Sequence, residues 1–147
     1  MESYFAADTA GLLLALAATP AMADEVWTTF RGNIVYDSVT ADGTAVFTAP
    51  AIIFNPEAGK SSVARIYIPH LDATPDVRYR HMGYWILEGG TNCAMGMTGP
   101  DGATSTDWGL VEFMFDAPGF PTGFTMSWGY CEFDQYEFLR AIPVVGE

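Results

Sequence analysis

The sequence has few positively charged residues. Lysine and arginine together number 6 against 18 aspartates and glutamates, so the formal net charge is −12 in 147 residues. Proteins that bind nucleic acids or anionic membrane surfaces contact phosphates through lysine and arginine, so this composition argues against both kinds of partner. The charged fraction is only 16%, while 50% of the residues are hydrophobic. A chain of this length and composition is expected to fold around a substantial core.

The sequence also lacks an apolar run of membrane-spanning length. The longest run, Gly11–Ala18 ("GLLLALAA"), is much shorter than the roughly 20 residues that cross a bilayer as a helix, so no stable membrane insertion is expected. Pro20–Ala23 follows, with small residues at the positions that a signal peptidase recognises. We predict that residues 1–23 are a helical signal peptide that is cleaved, and that residues 24–147 are one domain in the periplasm or outside the cell. The alternative is an amphipathic N-terminal helix that stays attached.

Only two cysteines are present, Cys93 and Cys131. Export places a protein in an oxidising compartment, where two cysteines usually pair. A disulfide that encloses a loop of this length is expected to stabilise the fold by roughly 4 kcal/mol through the entropy of the unfolded chain. In the stretch "TNCAMGMTG", Cys93, Met95 and Met97 stand at alternate positions. Because alternate side chains of a strand share one face, we expect both methionines to point towards the core with the disulfide.

The same sulfur side chains permit an alternative interpretation. Thiolate and thioether groups are suited to copper(I), and His70 and His81 are available as further ligands. At the level of Met and His ligands in an exported β-domain, the chain resembles small periplasmic copper carriers with a β-sandwich fold, although it lacks their Met-rich spacing. This resemblance implies a soft-metal site at Met95, Met97, His70 and His81.

Helical periodicity is absent after residue 23. The chain instead contains short runs rich in β-branched and aromatic residues, separated by glycine, proline, aspartate and asparagine, which is typical of an all-β domain. We predict about eight antiparallel strands in a β-sandwich or jelly roll, with a small closed β-barrel as the alternative. The predicted runs are Val26–Val39, Thr44–Phe54, Ser62–Ile68, Arg78–Glu88, Thr91–Met97, Trp108–Phe115, Phe124–Phe133 and Tyr136–Val145. A break of the first run at Arg31–Asn33 is the alternative to one continuous strand.

One segment concentrates positive charge. Arg78, Arg80 and His81 lie close together, and His70 precedes them by a short interval. Arginine pairs bind carboxylate or sulfate groups through their planar guanidinium forks, and histidine can act as a base or a ligand. We therefore regard these four residues as a candidate ligand-binding set. The alternative is a solvated edge strand whose arginines pair with nearby acidic residues.

Acidic loops and aromatic residues suggest two further kinds of site. Asp101 and Asp107 flank the loop "PDGATSTD", and carboxylates in such loops can hold calcium, although aspartate also favours turns for local reasons. The four tryptophans could stack on sugar rings, but in a small β-domain most of them are expected in the core. They are Trp27, Trp85, Trp108 and Trp128.

No catalytic motif is present. The sequence contains neither G-x-S-x-G nor H-E-x-x-H and no glycine-rich phosphate loop. We therefore predict a small exported, disulfide-stabilised β-domain that acts as a non-catalytic binding or structural module for a protein, small-molecule or carbohydrate partner, without a cofactor. The alternatives are a periplasmic copper carrier and a hydrolase that uses a pair of carboxylates.

Overall fold

The computed structural model describes residues 25–71, 79–134 and 137–145. The predicted signal peptide lies outside these ranges. Within them, no helix has the length and apolar character needed to cross a membrane. The strands are β1 (Val26–Thr29), β2 (Gly32–Val39), β3 (Ala45–Pro50), β4 (Val63–Ile68), β5 (Arg80–Ile86), β6 (Met97–Thr98), β7 (Thr104–Ser105), β8 (Trp108–Phe115), β9 (Phe124–Trp128) and β10 (Glu137–Pro143).

Eight of these strands form a closed antiparallel barrel. Strands β1 to β5 and then β8 to β10 are neighbours in sequence order, and β10 pairs with β1 to close the sheet, with Thr28 opposite Ile142. The predicted all-β class and the number of strands are confirmed. Of the two predicted architectures, the closed barrel is the one observed instead of the sandwich, because pairing of the first and last strands leaves no edge in this sheet.

Two of the predicted runs differ from the observed strands. Val26–Val39 is broken by a turn at Phe30 and supplies two barrel strands, β1 and β2. The prediction of a strand over Thr91–Met97 is wrong, because only its last residue lies in a strand. That residue begins β6, which pairs with β7 in a separate two-stranded sheet. The segment before it is irregular because its backbone N–H groups bond to the carbonyl of Thr106 instead of a barrel strand.

Large and small side chains alternate to fill the barrel. An eight-stranded barrel has an interior just wide enough for side chains to occupy. Alternate residues of each strand point inward, and the large inward-facing residues are accommodated by small ones on neighbouring strands. The large residues include Trp27, Phe47, Phe113, Phe115 and Phe124, and the small ones include Ala45, Ala49, Ala64 and Ala141. Several of the aromatic rings contact one another, as Phe113 and Phe124 do in a stack with centroids 4.4 Å apart.

One end of the barrel is closed by its own chain. A single 3-10 turn, Ala51–Ile53, follows β3, and Ala51, Ile53 and the next residue, Phe54, are buried in the main core cluster. We call this the plugged end. The strand directions place the β1–β2, β3–β4, β5–β6 and β9–β10 connections at this end, and the β2–β3 and β8–β9 connections at the opposite one.

The segment Leu87–Asp107, which we call the insertion, connects two strands that are already neighbours, β5 and β8. It packs against the outer face of the barrel and forms a second cluster there with Val46, Tyr67, Ile86 and Trp108. The Asp101 carboxylate in the insertion accepts hydrogen bonds from the Tyr67 hydroxyl at 2.8 Å and the Arg65 guanidinium at 2.9 Å. These contacts hold the insertion on β4.

Candidate functional site

Three loops meet at the plugged end and form an open cleft of about 440 Å³. The β3–β4 loop, the insertion and the β9–β10 loop each contribute residues to it. The volume lies within the range typical of small-molecule sites. The lining residues are Phe54, Asn55, Pro56, Thr91, Asn92, Asp107 and Tyr130.

Aromatic rings form the base of the cleft. Phe54 stacks on Trp85 with ring centroids 4.6 Å apart and an angle of 11° between the planes. Tyr130 contacts the same tryptophan edge-on, with centroids 5.8 Å apart. Phe54 also meets the ring of Trp128 edge-on at 5.6 Å. Because Trp85 and Trp128 belong to the barrel core, the aromatic base of the cleft is continuous with that core.

Asp107 is the acidic member of the cleft. The residue is only 4% exposed, and among the described residues no hydrogen bond or ion pair reaches its carboxylate. Its backbone is held on both sides, because its N–H donates to the Ser105 hydroxyl at 2.9 Å and its carbonyl accepts from the Leu87 N–H at 2.9 Å. Burial raises the pKa of the Asp107 carboxyl above its ordinary value, since the charged form loses solvation.

Gly90 makes room for this carboxylate. A Cβ atom at position 90 would lie 2.2 Å from Oδ2 of Asp107, so no other residue fits there without a shift. The hydroxyl groups of Ser105 and Thr106 both donate to the Gly90 carbonyl, at 3.3 and 3.4 Å. The insertion is therefore folded closely around Asp107.

A disulfide joins two of the loops that line the cleft. The predicted bond between Cys93 and Cys131 is confirmed, with Cα atoms 5.5 Å apart. Cys93 follows Asn92 and Cys131 follows Tyr130, so each half of the cystine adjoins a lining residue. The two cysteine N–H groups are bound as well, to the carbonyls of Thr106 and Trp108.

The methionines next to the disulfide do not enter the core as predicted. Met95 is 71% exposed, and its carbonyl accepts a hydrogen bond from the indole N–H of Trp108 at 2.8 Å. Met97 is half-buried against the outer cluster. The expectation that both side chains point inward is wrong because this segment is not a barrel strand and lies on the outside of the sheet.

The residues of the predicted basic cluster occupy different surroundings. Arg80 forms an ion pair with Glu112 on the outer face of β5. His81 is half-buried on the opposite face of that strand, and its ring lies edge-on to Phe115 at 6.5 Å. His70 is exposed in the turn after β4 with a φ of 66°, and Arg78 lies outside the described residues.

The proposed metal ligands are also dispersed. The Asp101 carboxylate binds Arg65 and Tyr67 on the outer face, whereas Asp107 lines the cleft. Within the described ranges, no group of three or more His, Cys, Asp or Glu residues is placed to hold a metal ion. Copper binding by Met95 and Met97 with the histidines, and calcium binding by the two aspartates, stay predictions.

The sequence offered Asp107 as a loop aspartate that could bind calcium. Nothing in the sequence shows that its carboxylate lies beside three loops without a described partner. Asn55, Asn92 and Tyr130 were missed entirely, because they come together only when distant loops meet. Comparison of the chain with protein-family models, curated proteins and solved structures gave no match in any of the three.

Proposed function

We propose that this protein is a small exported binding module that holds a low-molecular-weight ligand in the cleft at the plugged end. The observation that carries the proposal is the buried Asp107 carboxylate, which has no described partner and lines the cleft. Buried charged groups are normally paired, and exceptions are most often found at functional sites. The disulfide and the apolar N-terminal segment support the part of the proposal that concerns export.

The shape of the cleft also supports binding. A concave, largely apolar surface with a few polar groups is the usual form of a small-molecule site. The lining of this cleft is more polar than that, with Asn55, Asn92 and Asp107 as its polar residues. Its accessible apolar surface comes from Pro56 and Tyr130, because Phe54 is almost fully buried. A carboxylate-pair hydrolase would need a second acid, and Asp107 is the only carboxylate among the described residues that line the cleft.

A screen of small molecules by nuclear magnetic resonance tests this function. Ligands are expected to shift the backbone amide signals of Thr91 and Asn92 and to change the fluorescence of Trp85 beneath the cleft. Tyr130→Ala should weaken binding because it removes one aromatic wall. Phe133→Ala is the matched control, since Phe133 lies in the same loop, is 69% exposed and does not line the cleft. A ligand whose affinity is equal in both variants and in the wild type does not bind in this cleft.

A further inference from the structure

We infer that the ligand of this cleft carries a positively charged amino group that binds Asp107. This inference rests on the proposed function and adds the chemical class of the ligand. Asp107 is only 4% exposed, its carboxylate lines the cleft, and no described side chain pairs with it. A cation or several hydrogen-bond donors in the cleft would offset the solvation that it has lost.

The protein's own described cations are not among the residues that line the cleft. Three arginines pair with acidic residues on the outer face: Arg65 with Asp101, Arg80 with Glu112 and Arg140 with Asp116. Arg31 donates to the carbonyl of Ile53 at 3.3 Å and lies over the ring of Phe30. Lys60 is exposed and lines a separate depression beside Val63. None of these five side chains contacts Asp107, and the sixth basic residue, Arg78, lies outside the described residues. No described cation therefore supplies the countercharge, which we assign to a ligand.

The rest of the lining fits an ammonium group. An ammonium has three N–H donors and no acceptor, so it needs oxygen atoms around it. Asp107, Asn92 and Thr91 line the cleft and carry such oxygen atoms. Asn55 also lines it, although its side-chain oxygen accepts a hydrogen bond from the Glu57 N–H at 3.0 Å. The face of an aromatic ring attracts a cation as well, and Tyr130 supplies such a ring at the wall of the cleft.

Charge excludes the opposite class of ligand. The chain carries a formal net charge of −12, and the cleft holds an unpaired carboxylate with no described cation among its lining residues. An anionic ligand would be repelled both on approach and at contact, whereas a cationic ligand would be attracted in both steps. A neutral sugar or alcohol could donate hydrogen bonds to Asp107 but would leave its charge unbalanced.

The test compares amines with their neutral isosteres. Benzylamine, phenethylamine and tyramine are titrated by nuclear magnetic resonance at neutral pH, each beside the alcohol in which a hydroxyl replaces the amino group, and beside benzoate as the anion. Each amine is expected to bind about tenfold more tightly than its alcohol, since hydrogen bonds between charged groups are worth more than neutral ones. Asp107→Asn should remove this difference, whereas Glu132→Gln, an exposed acid in the β9–β10 loop, should retain it.

The outcomes separate the ligand class from the function itself. If the alcohols bind as tightly as the amines, or if Asp107→Asn retains the preference, the inference of an amino group is wrong, while loss of binding in Tyr130→Ala still supports the cleft. If none of the amines shifts the signals of Thr91 or Asn92 at millimolar concentration, the inference is also overturned. If neutral and anionic compounds fail there as well, the proposed function fails with it.

Discussion

The Asp107 carboxylate is buried without a described partner, so its negative charge opposes folding. Burial raises its pKa in the folded protein, which therefore binds this proton more tightly than the unfolded chain does. The contribution of Asp107 to stability consequently improves as the pH falls through the raised pKa and is lost as the pH rises above it. Asp116, whose pKa is lowered by the Arg140 guanidinium, acts in the opposite direction.

Asp107→Asn should therefore stabilise the protein in the absence of ligand. We expect the free energy of unfolding to increase by about 1 kcal/mol at neutral pH, the lower end of the cost of an unsatisfied buried polar group. The gain should shrink as the pH falls through the raised pKa of Asp107, because the wild-type carboxyl then takes up a proton. Urea denaturation across this pH range measures it, with Glu132→Gln as the exposed control. A variant less stable than the wild type at neutral pH would show that the carboxylate has a partner.

Trp85 and Trp128 differ in the hydrogen bonding of their indole N–H groups. The indole N–H of Trp85 donates to the Gly129 carbonyl at 2.9 Å, whereas the buried indole nitrogen of Trp128 has no partner in the part of the chain that the structure describes. Both side chains are almost fully buried, so phenylalanine removes similar ring volume at either position. We expect Trp85→Phe to destabilise the protein by about 1 kcal/mol more than Trp128→Phe, because it strands a buried carbonyl. Thermal unfolding of the two variants decides this, and equal losses would contradict it.

The sequence predicted the burial of single residues better than their contacts. All four tryptophans are buried, as their apolar surface suggests. The sequence did not reveal the isolation of Asp107, because that depends on which side chains the neighbouring loops bring near.

Among the structural elements, the insertion shapes one side of the cleft, and the disulfide holds the insertion in place. The bond joins residues 38 positions apart and ties the insertion to the β9–β10 loop. Replacement of both cysteines by serine should lower the free energy of unfolding by roughly 3–4 kcal/mol, since the unfolded chain gains entropy. The barrel should persist, because its strand pairing does not involve the bond, but ligand affinity should fall as Asn92 and Tyr130 separate.

Two measurements check this prediction. Urea denaturation should give the same free energy of unfolding for the double-serine variant as for the wild type with its disulfide reduced. Both should bind a cleft ligand more weakly than the wild type with its disulfide intact. If the affinity stays unchanged while the stability falls, the disulfide stabilises the fold without organising the cleft.

Most elements were predictable from composition, but the insertion was not. β8 has the predicted bounds, and β4 and β10 lie within their predicted runs. The run Thr91–Met97 has the alternation of a strand, yet it lies outside the barrel sheet and follows the bonds that Cys93 and its neighbour make to Thr106. The alternation of residue types along a segment shows that it could form a strand. It does not show which other segment its backbone groups bond to.

At the scale of the whole molecule, closure brings distant parts of the chain together. The N–H of Val144 donates to the carbonyl of Val26 at 2.8 Å, so the two described limits of the barrel adjoin. They lie at the end opposite the cleft, as β1 runs towards the plugged end. Residues 25 and 145 can therefore be joined by a short glycine linker without strain on either strand.

A circular permutant tests this arrangement. With new termini in the exposed β8–β9 connection at Ala117, the protein should fold and keep its ligand affinity, because that connection is at the end away from the cleft. A second permutant opened between Thr91 and Asn92 should retain the barrel and lose affinity. Circular dichroism and ligand titration compare the two. Equal affinities would show that the cleft does not depend on a continuous insertion.

The closure of the barrel could not be predicted from the sequence. Sandwiches and barrels share the same alternation of inward and outward residues, so the pattern permitted both. The distinction depends on the pairing of Trp27 with Pro143, which are separated by nearly the whole described chain. The sequence around either residue does not show that the two will pair.

The connection between β5 and β8 affects which parts of this sequence can vary in evolution. These strands are direct neighbours, with Ile86 opposite Trp108, so a tight hairpin turn would be enough to join them. The Leu87–Asp107 segment is therefore an elaboration that the barrel does not need for its own assembly. The segment contributes Thr91, Asn92 and Asp107 to the cleft, while the remaining lining residues come from the β3–β4 and β9–β10 loops. Mutation and selection can revise specificity at Thr91 and Asn92 while the inherited scaffold stays as it is.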